Sequence, residues 1–451
     1  MHAWLKIHYK ECLLLLLAFA FFTRIYNLHL PERYIFDEVY HAITAKLIAR
    51  NDPRAYEWWN PPVEPDTAVD WLHPPLAKYT QAVGIKIFGE NTVGWRISSV
   101  FFGVGVVFLV YALADALWRN KSLSLLAALL TSLDGLLLVQ SRVAMNDIHV
   151  TFFILLALLW YWQYRQLSTF GNLFKTGVAC GLAMASKWSG VYVVALLGIW
   201  ELISICRLLV SEVGFPLKKA NWWRKVVITS FCLVLVPVSV YLASYLHMYI
   251  QGKDWNHLVE LHRQTWWYQT NLQATHAYQS RPWQWFLDLR PVWYHVDYHN
   301  NDGRISNIYA FGNPALFWLG GVAVVSTLVT TLWLFLKKPY HFLQKIPRDM
   351  QATLFVLGAY AIVWIPWQFS PRIMFFYHYT PAVPLLCIVL AKWLIKLASY
   401  TTNNSKLGNY IVGGCVVVIA LTFIIFYPQW TGIAVPKNFA DTVYFAIPSW
   451  K

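Results

Sequence analysis

Phe36-Asp37-Glu38-Val39-Tyr40-His41 sets two adjacent carboxylates and a histidine just beyond a hydrophobic stretch at residues 13–22. Acids at such a place cap the start of a helix, where free backbone N–H groups favour negative charge. A carboxylate held at a membrane edge also serves as a general base. Neighbouring side chains on a helix point in different directions. The two acids therefore do not share one proton: one works, and the other orients it or holds the loop.

Three further groups carry chemistry. Gln140-Ser141-Arg142-Val143-Ala144-Met145-Asn146-Asp147 sets an arginine five residues before an aspartate. That spacing reads either as an ion pair pinning a loop or as an arginine offering paired donors to a phosphate. Asp134 falls inside an apolar stretch and is expected to face the protein interior. The cations Lys78, Lys187, Arg281, Arg290 and Arg372 fit an anionic ligand at headgroup level, although any one alone is more often a snorkelling side chain. His295 and His299 flank Asp297 at a spacing a metal site uses, and His257, His262 and His276 lie nearby. No cysteine joins them and no HExxH pattern occurs, so packing is the default reading and no metal ligand is assigned. The absence of a Walker A, a strand-linked GxGxxG or a GxSxG argues against an ATP-driven pump and a serine hydrolase.

The elements that must position these groups are membrane spans. The 451 residues are 58% hydrophobic and 13% charged, outside the ordinary range of soluble domains. The 25 Trp and 26 Tyr suit membrane–water boundaries. The net charge of +14 comes from short basic clusters between apolar stretches, which indicates topology and not nucleic-acid binding. All six cysteines fall in or beside expected spans, so no disulfide framework is expected. Residues 13–22 are followed by Arg24, Tyr26 and Asn27 with no small-residue cleavage site, and read as a retained first span.

Apolar stretches at 11–30, 94–118, 122–140, 146–164, 171–186, 189–210, 225–247, 313–336, 351–369, 374–397 and 409–428 make about eleven spans by the length rule. With the N-terminus inside, the inner loops hold Lys6 and Lys10, then Arg119 and Lys121, then Arg165 and Lys175. Arg207, Lys218, Lys219, Arg224 and Lys225 follow, then Lys337, Lys338, Lys345 and Arg348, and last Lys396 and Lys406. Short outer loops hold single cations, which puts the C-terminus outside. Residues 31–93 and 248–312 form two long outer loops. In the first, Val39, Ile43 and Leu47 mark one helical stripe, and Leu76, Tyr79, Val83 and Ile87 another after His73-Pro74-Pro75. Both are expected to lie on the outer membrane surface. The second loop is expected to cap something. The expectation is one all-α polytopic membrane domain over residues 1–451.

Taken together, the motifs resemble the protein O-mannosyltransferase family of integral-membrane GT-C glycosyltransferases, almost end to end. Phe36-Asp37-Glu38 is similar to its first-loop acidic motif, and His73-Pro74-Pro75-Leu76-Ala77-Lys78 to its HPPLxK. Gly94-Trp95-Arg96, Ser141-Arg142 through Asp147, and Lys187-Trp188-Ser189-Gly190 resemble further family elements. So do Ser280-Arg281-Pro282-Trp283 with Arg290-Pro291, Gly312-Asn313-Pro314, and Arg372 with Tyr377-His378-Tyr379 and Pro381. Residues 248–312 are too few for the soluble repeat insert of eukaryotic members, as in smaller bacterial relatives. Asp288 stands where many members have an apolar residue or proline.

The resemblance implies a GT-C fold and inverting transfer of a hexose, typically mannose, from a polyprenyl-phosphate donor to a hydroxyl. The acceptor would be a Ser/Thr-containing protein, met at the outer face of a bacterial inner membrane, with the secretion translocon as a candidate partner. Asp37 is implied as the base, with Glu38 shaping the acceptor site. Arg142, Lys78 and Arg372, backed by Lys187 and His378, would hold the donor phosphate. His73, Asp147, Arg281, Trp283 and Arg290 would line the acceptor and sugar pocket. No cofactor or metal is required. A related enzyme with a lipid or glycan acceptor, of the aminoarabinose-to-lipid-A type, is the nearest alternative. A secondary transporter would instead show repeats and midplane charges.

Overall fold

A computed structural model describes residues 7–212, 220–299, 302–337, 346–400 and 405–451. The expected inner-loop cations Lys6, Lys218, Lys219, Lys338 and Lys345 lie outside the described residues. Unbroken apolar sequence makes helix wherever it was expected. Seven helices among the described residues are long and apolar enough to cross a bilayer: Thr92–Trp118, Trp188–Arg207, Trp222–Ile250, Pro314–Lys337, Arg348–Phe369, Phe376–Ser399 and Leu407–Thr431. The other expected stretches are helical at Tyr9–Ile25, Lys121–Ser132, Asp147–Leu167 and Phe170–Ser186, without meeting that length and hydropathy.

Two local features set how these helices meet. The helix Leu76–Phe88 crosses Thr92–Trp118 at Gly84 and Gly94, where a methyl group on Gly84 would stand 2.3 Å from the Gly94 carbonyl oxygen. Only glycine permits that approach. The stretch expected to span 122–140 is interrupted at Asp134, which is buried and caps the short helix Gly135–Gln140. Its Oδ1 accepts from the Leu137 N–H at 2.8 Å and its Oδ2 from the Asn313 N–H at 3.2 Å. An acid inside apolar surroundings is tolerated here because backbone donors from two segments satisfy it.

The first outer loop departs from expectation at one of its two helices. Glu38–Ala49 begins at the paired acids, but every residue from His41 to Ala49 is buried. Its apolar side chains pack with Tyr245 and Met248 at the end of the Trp222–Ile250 helix and with Leu258 and Leu261 of the second loop, so it lies beneath a roof and not on a membrane surface. In contrast, Leu76–Phe88 keeps Val83, Ile87 and Phe88 exposed while Lys78 and Gln81 face inward. The roof includes the helix Trp255–Asn271, capped by the Asp254 side chain on the His257 N–H.

The architecture is predominantly helical, as expected, with one small sheet. Strands β1 (Val292–His299), β2 (Arg304–Ala310) and β3 (Val435–Pro436) form an antiparallel sheet in the order β1-β2-β3. β-branched and aromatic residues fill the first two strands, and Asp302-Gly303, with Gly303 at φ +66°, supplies hairpin-turn chemistry. The β1–β2 register slips between Trp293 and His295, a bulge that re-aims Tyr294. On a strand, His295 and His299 are separated by roughly 13 Å of rise and do not converge on a metal. His299 instead meets the Ser306 hydroxyl at 2.8 Å.

Candidate active site

Phe36, in a left-handed turn at φ +49°, delivers Asp37 and Glu38 to the start of their helix with opposite surroundings. Glu38 is wholly buried against Arg96, which donates from Nε to Oε1 and from Nη2 to Oε2, both at 2.8 Å. The backbone N–H groups of Ile35 and Ala144 complete its shell at 3.1 and 3.0 Å. Arg96 also ties down the carbonyls of Leu28, Leu30, Pro31 and Arg33. The geometry makes Glu38 the knot of the loop, where it cannot reach an acceptor.

Asp37 is half-buried, and among the described residues nothing donates a hydrogen bond to its carboxylate. Burial pushes that carboxyl up to about 6; His41 and Lys187 pull it down, while Asp70 and Asp147 push it up. A carboxylate with no partner and a raised proton affinity is suited to general-base work near neutral pH. Lys187 lies beside it, paired with Asp147 at 2.8 Å, both buried, and with its ammonium 5.4 Å from the centre of the Tyr377 ring. Above, Phe36 stacks on Tyr294 at 4.1 Å and meets Tyr377 edge-on at 5.6 Å. The Tyr294 hydroxyl is held by the Gln140 amide at 2.8 Å.

On the other side of Asp37 lies a buried charge cluster centred on Asp70. Lys78 reaches an Asp70 oxygen at 2.8 Å and donates to the carbonyls of Asp70 and His73, also at 2.8 Å. His41 and His73 place their Nδ1 atoms 2.8 and 3.0 Å from the same carboxylate. Burial alone would raise the Asp70 carboxyl, but Lys78, His73 and His41 hold it well below the ordinary range. Burial draws His73 down to about 4 despite Asp70. The donor atoms of His41, Asp70 and His73 all lie within 4.8 Å of one another, the spacing of metal ligands. The Lys78 ammonium already occupies the cation position at Asp70, so the cluster is charge-balanced by the chain itself. Asp70 escaped the sequence reading, and His41 was noted only as the histidine beside the paired acids; the signal for Asp70 was its place eight residues before the HPPLxK lysine.

The remaining expected residues divide. Arg142 is buried and donates to the carbonyls of Arg24, Tyr26 and Asn27 at 2.6, 2.7 and 3.3 Å. It forms neither the expected ion pair with Asp147 nor a free phosphate clamp, because three carbonyls at the end of the first helix take its donors. His378 is packed among Tyr377, Trp285 and Trp367, with Nδ1 2.9 Å from the Phe375 carbonyl oxygen. Arg372 makes no ion pair among the described residues and shares with Arg281 a cleft of about 420 Å³, lined also by Gln279, Ser280, Gln284 and Met374. Trp283 points outward at 53% exposure, whereas Trp285 is buried with its indole N–H on Ser280. Arg290 lies away from the acids, donating to the carbonyls of Ala277, Ser449 and Lys451. Asp288 has a structural role: in a left-handed turn, its Oδ1 accepts from the Gly312 N–H and its carbonyl from the Trp450 indole, while burial pushes the carboxyl well up.

The chain is similar to known proteins in sequence and in fold. The chain is 28% identical over 443 residues to the polyprenol-phosphate-mannose–protein mannosyltransferase of Corynebacterium glutamicum, covering 84% of this chain and 81% of that one. The similarly named protein of Mycobacterium tuberculosis is 27% identical with the same coverage. A more partial likeness, 28% over 298 residues and 48% of the relative, links it to an undecaprenyl phosphate-alpha-4-amino-4-deoxy-L-arabinose arabinosyl transferase of Pseudomonas aeruginosa. In fold it is similar to the donor-bound Saccharomyces cerevisiae protein O-mannosyltransferase Pmt1-Pmt2 complex, with a TM-score of 0.79 at 14% identity over 96% of this chain and 91% of that one. ArnT from Cupriavidus metallidurans follows, with a TM-score of 0.56 at 15% identity over all of this chain and 74% of that one. The profile of the C-terminal four-transmembrane region of protein-O-mannosyltransferase matches residues 254–446. With the dolichyl-phosphate-mannose-protein mannosyltransferase profile matching residues 14–249, more than half of its length, this integral membrane protein belongs to that family.

Proposed function

We propose that the protein transfers a mannosyl unit from a polyprenyl-phosphate donor to a Ser or Thr hydroxyl of a protein, at the extracytoplasmic face of a bacterial inner membrane. Asp37 takes the acceptor's hydroxyl proton as that oxygen attacks the anomeric carbon. The bond from the anomeric carbon to the phosphate oxygen breaks with inversion, and polyprenyl phosphate leaves with the electron pair. Fixed cations aimed at the departing phosphate lower the barrier, because charge develops there in the transition state. Lys187 and Arg372 are suited to that role: Lys187 adjoins Asp37, and Arg372 has no competing carboxylate among the described residues. Lys78 acts through Asp70 instead.

The observation that carries this reading is the Asp37 carboxylate, left without a hydrogen-bond donor among the described residues and set beside a buried lysine. The test is to incubate purified protein with polyprenyl-phosphate mannose and a Ser/Thr-rich peptide, follow glycopeptide by mass spectrometry, and assign the new linkage by NMR. Mannopeptide of inverted configuration is expected. Retention of configuration, or sugar appearing only on an added lipid A acceptor, contradicts the proposal.

A further inference from the structure

His41 sits one helical turn beyond Asp37 on the same helix and is 3% exposed. Its Nδ1 lies 2.8 Å from an Asp70 oxygen and meets no other partner among the described residues. Lys78 meets the same carboxylate, so the Asp70–Lys78 pair cancels most of its own field at a distance. His73 approaches the other Asp70 oxygen, with the two imidazole rings 5.4 Å apart. His41 is thus the titratable member of the cluster that shares a helix with Asp37.

We infer that His41 is a positioning residue for the transfer: held by Asp70, it supplies the positive charge that keeps the neighbouring Asp37 carboxylate ionised and ready to accept a proton. The inference rests on Asp37 being the base. The groups facing Asp37 are His41, Asp70, Lys187 and Asp147, with the phenols of Tyr40, Tyr294 and Tyr377. Those facing His41 are Asp37, Asp70, His73 and His149. Lys78 is already paired with Asp70 and Lys187 with Asp147, so neither lysine is a free counter-charge for Asp37. Without a cation at position 41, Asp37 would hold its proton to higher pH and stay inactive as a base there.

The experiment is the pH profile of kcat/KM for peptide mannosylation by purified wild-type protein, His41→Gln, His41→Asn, His41→Lys and Asp37→Asn, with donor Kd measured for each. In the neutral variants the acid limb should move up by about half a pH unit or more, with activity returning towards wild type at the alkaline end. His41→Lys, whose charge does not titrate in this range, should keep the limb at the wild-type position or below it. That arm stands alone should the neutral variants fail to fold. A uniform loss at every pH with an unmoved limb, or a limb displaced upward in His41→Lys as well, overturns the inference. Activity in Asp37→Asn overturns the base assignment instead, so the two failures are distinguishable.

Discussion

Asp37 and Glu38 are adjacent in sequence and opposite in environment, and each environment has a measurable consequence. The Asp37 carboxyl holds its proton more tightly in the folded protein than its ordinary value of 3.8 implies, titrating at about 6. Ionising it therefore costs stability, a cost that grows as pH rises from about 4 to about 6 and is constant above. Asp37→Asn should accordingly melt higher than wild type above pH 6, with the gain vanishing near pH 4, as read by thermal unfolding in detergent. Glu38 is instead held by Arg96 and two backbone N–H groups. Replacing it by Gln leaves Arg96 charged and buried with its bidentate partner gone, a class of change that costs about 3–5 kcal/mol. A large drop in melting temperature is expected, with donor Kd unchanged in whatever fraction folds.

At the scale of elements, several side chains first taken for chemistry turn out to fasten segments together. Arg142 links the end of the first helix to the loop before Asp147, so Arg142→Ala should lower the melting temperature with little change in donor affinity; weaker donor binding without loss of stability would contradict this. Asp70 joins the helices carrying His41 and Lys78. Its lowered carboxyl contributes stability that is present above the ordinary carboxylate value and lost as pH falls through the folded value. Asp70→Asn should therefore destabilise at neutral pH and approach wild type in strong acid. Apart from the Asp70–Lys78 spacing, none of these partnerships is legible in one sequence. Lys187 and Asp147 are 40 residues apart, and the acceptors of Arg142 are main-chain carbonyls, which leave no residue-type signal. The helix starts, and the acid pair that opens one of them, were legible because acids at a helix entrance and apolar periodicity depend on local order.

For the whole molecule, the hydrophobic stretches were readable because span length is fixed by bilayer thickness. The buried sheet was not. β1 and β2 stand inside a loop expected only to cap something, although Asp302-Gly303 between β-branched and aromatic runs was a hairpin signal. That sheet matters to the site, since the slip in its register turns Tyr294 onto Phe36 beside the acids. Helix, loop and sheet together thus hold one unpartnered carboxylate next to a paired lysine beneath a roof of aromatic rings.

The central claim is that this carboxylate removes the acceptor's proton. Its most direct test is single-turnover transfer by Asp37→Asn with polyprenyl-phosphate mannose already bound and donor Kd measured on the same preparation. The account predicts wild-type donor affinity and a rate about 10²–10⁴-fold slower, the usual contribution of a positioned base; a rate within about tenfold of wild type, against that same yardstick, would contradict it.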